Sequence, residues 1–336
     1  KAIVLKPDYA EACNNKGNAL KENGDFEDAL DKYAKALTIR PDYANAQSNL
    51  VLSLTHFTPR RKKVHPIVEV NESVKEINID RFSTNIISDD YVKELFFSAF
   101  RIIKDYDLEL KVETSQVYRR NKINLNCSRH MAIFDRYNII PEFCFGCYKV
   151  QVEPRSLIEL MKLLILFDEL KLKDNNTRKC MVELRPAFPG FYKGYIYCSN
   201  LEQAVQINSY LTHVIKEKIA SDLLPVVKRG CSEYPLSFPA YKEINNDGTQ
   251  LMNYNEDWRS IEHQFDAEYP QQVETDNKET LSGLSLHDVL TVYKWINYAT
   301  GIEDPSAAYM GSNITKYPEI IELAKARVAK FGPLRH

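Results

Sequence analysis

The sequence predicts an α+β protein: a helical N-terminal segment, a mixed core running strand, helix, strand, strand, helix, strand, and a helical C-terminal extension. Three observations predict it. Residues 1–9 (KAIVLKPDY) and 35–43 (KALTIRPDY) match each other at an offset of 34 residues, a period that belongs to stacked helix pairs. Between residues 148 and 230 the apolar pattern switches between a period of 2 and one of 3.6. Residues 126–153 (NCSRHMAIFDRYNIIPEFCFGCYKVQVE) hold two Cys/His pairs at an interval that suits a tetrahedral metal.

At 336 residues the chain can form two or three domains, and 44% hydrophobic with 27% charged residues is the composition of an ordinary globular protein. A formal net charge of −2 argues against general electrostatic binding to nucleic acid or membrane surfaces. The longest apolar stretch, Leu157–Phe167, is interrupted by Glu159 and Lys162, so no membrane span is expected. Seven cysteines without small-domain spacing fit free thiols or metal ligands in a reducing, cytoplasmic setting. Because the chain starts inside a repeat, further residues are expected ahead of Lys1.

In residues 1–54, small Gly17, Ala29 and Ala36 stand where two helices must touch, with Leu20 and Tyr33 filling the remaining space. Asn23-Gly24 turns the chain and Pro41 ends the second helix. This pattern resembles the tetratricopeptide repeat, whose Gly, Ala, Tyr/Phe, Ala and Pro positions fall on Gly17, Ala29, Tyr33, Ala36 and Pro41; Lys16 replaces a large apolar residue. The resemblance implies capture of a protein or peptide in a groove, at the end of a longer array. Ala44–Leu54 reads as a capping helix, and residues 55–65, with Arg60-Arg61-Lys62-Lys63, as a basic linker.

Residues 66–147 read as an α/β lead-in. Pro66–Ile79 alternates in places, which suggests a short strand or an extended lead-in. Ser88-Asp89-Asp90 starts a helix, with Tyr91, Leu95, Ala99 and Ile102 as its stripe. Asp107–Tyr118 suggests another strand. Cys127 and His130 then face Cys144 and Cys147 across thirteen residues, Cys127 just before a helix and Cys144 opening a knuckle in which Gly146 permits unusual backbone angles. These four are the candidate ligands of a structural zinc.

Residues 148–232 follow the order of a ferredoxin-like βαββαβ sandwich, with helices at Ser156–Leu170 and Leu201–Ile219. Alternation sends Val150, Val152, Val182, Leu184, Ile196, Cys198 and, with them, Cys180 toward the helices. The opposite face receives Lys149, Gln151, Glu153, Glu183, Arg185, Lys193, Tyr195 and Tyr197. An enzyme would use Glu153 and Glu183 as acid and base and Arg185 and Lys193 as anion clamps. The segment at 192–205 also resembles the third strand and second helix of an RNA-recognition motif, with Lys193-Gly194-Tyr195 and Tyr197 at its basic, glycine and stacking positions. Ile196 and Asn200 depart from that pattern, and RNA is the weaker reading. A third assignment is a salt-linked face covered by residues 233–336.

In that last segment ten acids face two bases between Glu243 and Ser282, suggesting a solvated connection. His263 and Asp266 have no third partner in the sequence for a non-haem iron site. Ser285–Ala299 and Pro318–Ala329 read as helices. No phosphate loop, dinucleotide fingerprint, serine elbow or kinase set is present. The leading expectation is an interaction or adaptor protein stabilised by zinc, ahead of an enzyme acting on what the repeat delivers.

Overall fold

The computed structural model describes residues 9–61, 65–77, 86–108, 110, 114–120, 125–245, 247–269, 279–311 and 317–334. Helices α1 (Ala10–Glu22) and α2 (Phe26–Ile39) form the antiparallel pair expected from the repeat, and α3 (Ala44–Ser53) caps it. Gly17 is dictated by packing: a Cβ there would lie 2.5 Å from Cε1 of the Tyr33 ring. That ring is fully buried, and its hydroxyl donates to Asn18 Oδ1 at 2.9 Å. Gly24, at φ +83°, makes the turn between the helices. The basic run beyond α3 is partly neutralised, because Arg61 pairs with Asp31 and, at 3.2 Å, with Asp28 on α2. Lys62 and Lys63 lie outside the described residues.

Where a short strand or extended lead-in is expected at 66–79, residues 66–75 form helix α4 (Pro66–Lys75); residues 78 and 79 lie outside the described residues. Pro66 occupies the first turn, where its missing N–H costs nothing, and His65 Nδ1 accepts from the Ile67 N–H at 3.2 Å. Ile67, Val68, Val70, Asn71 and Val74 are buried at helical spacing, so tertiary packing overrides their β-branched preference. Helix α5 (Asp89–Asp105) begins as expected, with Ser88 Oγ accepting from the Tyr91 N–H. Its core stripe is Val92, Leu95, Phe96, Ala99, Phe100 and Ile103, so Tyr91 and Ile102 flank the buried seam rather than centre it.

Five strands form one sheet: β1 (Gln116–Arg119), then, after α6 (Cys127–Tyr137) and the single turn α7 (Glu142–Phe145), β2 (Tyr148–Val152). Helix α8 (Leu157–Glu169) leads to β3 (Arg178–Val182) and β4 (Tyr192–Cys198), and α9 (Leu201–Lys218) to β5 (Val226–Arg229). The spatial order is β1-β3-β4-β2-β5, with every neighbouring pair antiparallel. Of the strand suggested at 107–118, Gln116–Arg119 forms and adds an edge beside β3; residues 109 and 111–113 lie outside the described residues.

The expected alternation holds in the register. Val150 sits opposite Ile196, Val152 opposite Gly194 and Cys180 opposite Gly194. These belong to one core with Leu160, Leu163, Leu164 and Phe167 of α8 and Ala204 and Leu211 of α9. Gly194 lets α8 approach closely, since a Cβ would fall 2.3 Å from Leu163 Cδ2. Cys180 and Cys198 are buried in this apolar set.

After the sheet come the turn α10 (Tyr234–Ser237) and a 3₁₀ turn (Pro239–Lys242), then α11 (Trp258–Glu268). Helices α12 (Leu286–Gly301), α13 (Pro305–Tyr309) and α14 (Pro318–Phe331) complete the chain's described elements. Ser285 and Asp288 form a capping box on α12. Val289, Leu290, Trp295 and Ile296 of α12 join the same core as α8 and the repeat residues Tyr33 and Leu50. The C-terminal helix α12 therefore packs on the helix-bearing side of the sheet, not over its polar face. Among the described residues no helix is long and apolar enough to cross a membrane.

Candidate functional site

The polar sheet face assembles from alternate residues of all five strands. Cross-strand pairing sets Tyr118 beside Lys179, Lys179 beside Tyr195, and Tyr195 beside Gln151. One step along, Tyr197 lies beside Lys149 and Lys149 beside Lys228. Met181 and Lys193 form the next pair toward the other end. The parity that the sequence assigned to Lys149, Gln151, Lys193, Tyr195 and Tyr197 is the one adopted.

The face divides into two chemically different ends. At one, Glu183 is fully buried and its carboxylate is saturated: Arg185 Nε and Nη2 donate at 2.8 and 2.6 Å, and Lys193 Nζ lies 3.1 Å from Oε2. Arg185 also pairs with Glu233. Burial alone would raise the Glu183 pKa, but the Arg185 hydrogen bonds and the Lys193 charge take it down to about 2. A carboxylate held ionised in this way has no proton to give near neutrality. Glu153 is exposed and accepts from Gln151 Nε2 at 2.7 Å. Glu153 and Glu183 thus have separate partners, and Arg185 and Lys193 are both paired with Glu183.

Two residues that the sequence did not single out fix this end from behind. Tyr298 of α12 donates its hydroxyl to the Glu183 carbonyl at 2.9 Å. Arg327 of α14 is buried with no carboxylate beside it among the described residues; its guanidinium donates to the Tyr298 hydroxyl at 3.0 Å, to Gly190 O at 2.6 Å, and to Arg185 O and Phe188 O. One fork-shaped donor set therefore clamps the β3–β4 loop. Sequence periodicity places Arg327 on a helix but gives no sign of its carbonyl partners.

The other end is basic and aromatic. Lys149 Nζ lies 5.7 and 5.1 Å from the ring centres of Tyr195 and Tyr197, and Lys179 Nζ lies 5.5, 5.5 and 6.0 Å from those of Tyr118, Tyr195 and Tyr197. Lys149 also approaches Cys231 Sγ at 3.6 Å, and Lys228 donates to Ser232 Oγ. Burial, with Lys149 and Arg185 nearby, lowers Lys179 to about 8; burial, with Lys149 and Lys193 nearby, does the same to Lys228. Tyr195 is only 5% exposed, which leaves little ring surface for stacking on a base.

Of the four proposed zinc ligands, His130 and Cys144 have other side-chain contacts. The His130 ring stacks on Phe143 at 5.1 Å, and burial together with neighbouring Arg129 depresses its pKa to about 4. Cys144 Sγ meets the Tyr234 hydroxyl at 3.2 Å inside an aromatic cluster with Ile140 and Tyr241, and burial pushes its thiol pKa strongly upward. Cys147 is raised to about 11, chiefly by burial. Cys127 is exposed at the first position of α6, not ahead of the helix, because Asn126 takes the left-handed conformation. Gly146 has φ −91°, so the special backbone freedom expected there is not used. Among the described residues no three His, Cys, Asp or Glu side chains stand where they could hold one metal ion. This set does not fit a tetrahedral zinc as placed.

Asp266 is likewise committed, to Arg129 at 2.6 Å, and not to a metal pair with His263. A 430 Å³ cleft lined by Ser156, Glu159, Lys162 and Tyr309 lies elsewhere; its lysine is already paired with Asp89 at 2.6 Å.

Residues 10–43 match the model of the tetratricopeptide repeat family. No curated protein and no solved structure matches the chain.

Proposed function

We propose that the chain is an interaction protein in which the tetratricopeptide segment takes a protein or peptide and the α/β part, a ferredoxin-like sandwich with an added edge strand, serves as the body to which it is anchored. The observation that carries the reading is the repeat match over residues 10–43 on a helix pair whose cap joins the main core. The Leu281 N–H donates to the Thr55 carbonyl at 2.8 Å just beyond α3, so the repeat is tied to the C-terminal region as well. The succession of β2 to β5 and their spatial order support the sandwich assignment. Seven free cysteines, Cys127 exposed among them, support a reducing, cytoplasmic setting.

Peptide display against the intact chain tests the reading. Exposed Asn15 on α1 and Asn45 and Leu52 on α3 are the positions to vary. Peptides enriched by the chain are expected to lose binding to the Asn45→Arg, Leu52→Arg double variant while its thermal midpoint stays unchanged. Enriched peptides that bind the variant equally well, or no enrichment at all, overturn the proposal.

A further inference from the structure

We propose that the basic and aromatic end of the sheet face binds a small phosphorylated anion, held by Lys149, Lys179 and Lys228 and walled by Tyr118, Tyr195 and Tyr197. Three features carry this. The first is charge: Lys149 and Lys228 are direct cross-strand partners, an arrangement that repels, and Lys179 stands over the same tyrosine rings as Lys149. Among the described residues none of the three ammonium groups has a carboxylate within salt-bridge distance, while Glu183 and Glu233 are engaged by Arg185, and Glu183 by Lys193 as well.

The second feature is burial. Lys149 is 8% exposed, so its charge is largely withdrawn from water, with only a thiol and ring faces in return among the described residues. Such a group is costly unless an anion accompanies it. On the same face Gln151 Oε1 is buried and accepts no hydrogen bond among the described residues, leaving an acceptor for a hydroxyl of the ligand. The third is access. Lys179, Tyr197 and Lys228 are only half-buried, so the site opens on their side.

Lysine suits phosphate as a compact point charge with three donors that can rotate to meet its oxygens. The burial of this end favours a small molecule over a polymer: Tyr195 and Lys149 are buried, whereas a nucleic-acid strand needs rings and cations presented at the surface.

The test is calorimetric titration of the full chain with inorganic pyrophosphate at fixed ionic strength. Saturable binding of one equivalent is expected, weakened about tenfold or more by Lys179→Met and by Lys149→Met, since each removes a charge-assisted contact. Lys16→Met, in the exposed repeat, is expected to change nothing. Without pyrophosphate, Lys179→Met should keep or raise the thermal midpoint, because it relieves repulsion; a purely structural lysine would lower it. If Lys149→Met fails to fold, Lys228→Met takes its place. Absence of saturation, or equal weakening by Lys16→Met, overturns the proposal. So does tighter binding of a single-stranded RNA oligonucleotide that Tyr197→Ala abolishes.

Discussion

Arg119 on β1 grips Asp288 on α12 through two parallel contacts, Nη1 to Oδ1 at 3.0 Å and Nη2 to Oδ2 at 2.9 Å, between residues 169 positions apart. Its Nε lies 2.9 Å from Asp168 Oδ1 on α8. Three elements remote in sequence thus meet at one guanidinium. Both members of the bidentate pair are buried, so removing one strands the other. Asp288→Asn is expected to destabilise the chain by about 3–5 kcal/mol, read as a drop in the urea midpoint. An unchanged midpoint would mean that the pair contributes nothing.

The same pair predicts acid sensitivity. Burial alone would raise the Asp288 pKa, but Arg119 holds it below the unfolded value of about 3.9. A depressed folded-state pKa contributes stability that is complete above the unfolded value and lost as pH falls through the folded one. Glu183 behaves likewise between 4.5 and about 2. Wild-type stability should therefore fall steeply below about pH 4, and Asp288→Asn should flatten that fall. A pH series of denaturation midpoints in which the two proteins run parallel would refute the assignment.

Glu183→Gln leaves Lys193 and Arg185 without their shared anion beneath Tyr298. A loss of about 3 kcal/mol is expected from the uncompensated charge. Under the structural reading, peptide binding by the repeat survives the substitution. Loss of a peptide-directed activity in a variant of normal stability would instead revive the enzymatic reading of Glu183.

Gly17→Val should open the helical repeat. Its first added carbon already meets the Tyr33 ring at 2.5 Å, and such overpacking costs about 1–3 kcal/mol or more. Proteolysis is expected to cut first within residues 10–54 of this variant while the sheet stays protected. Uniform resistance would show that the Tyr33 ring can move aside without opening the helix pair.

Chelation is expected to leave the thermal midpoint where it was, because Cys144 meets the Tyr234 hydroxyl and, among the described residues, no three candidate ligands converge. Elemental analysis showing one zinc per chain, with unfolding on chelation, would require Cys127, His130, Cys144 and Cys147 to turn toward a common centre.

The sequence by itself determined the local features. The repeat, the Ser88 and Ser285 caps, the order of elements from 148 to 229 and the face assigned to each strand residue all follow from periodicity and turn chemistry, which act over a few residues. The tertiary structure decided what those features meet. Residues 66–75 became a helix because their apolar positions fit the core as a helix, and Asn71 reaches the Leu286 N–H at 3.0 Å. Arg327 found carbonyls of the β3–β4 loop, Cys144 found Tyr234, and α12 chose the helix-bearing side of the sheet, leaving Lys149, Lys179 and Lys228 without carboxylate partners among the described residues. Each of these outcomes rests on contacts between residues tens to hundreds of positions apart, whose free energies depend on burial and geometry that no local spacing encodes.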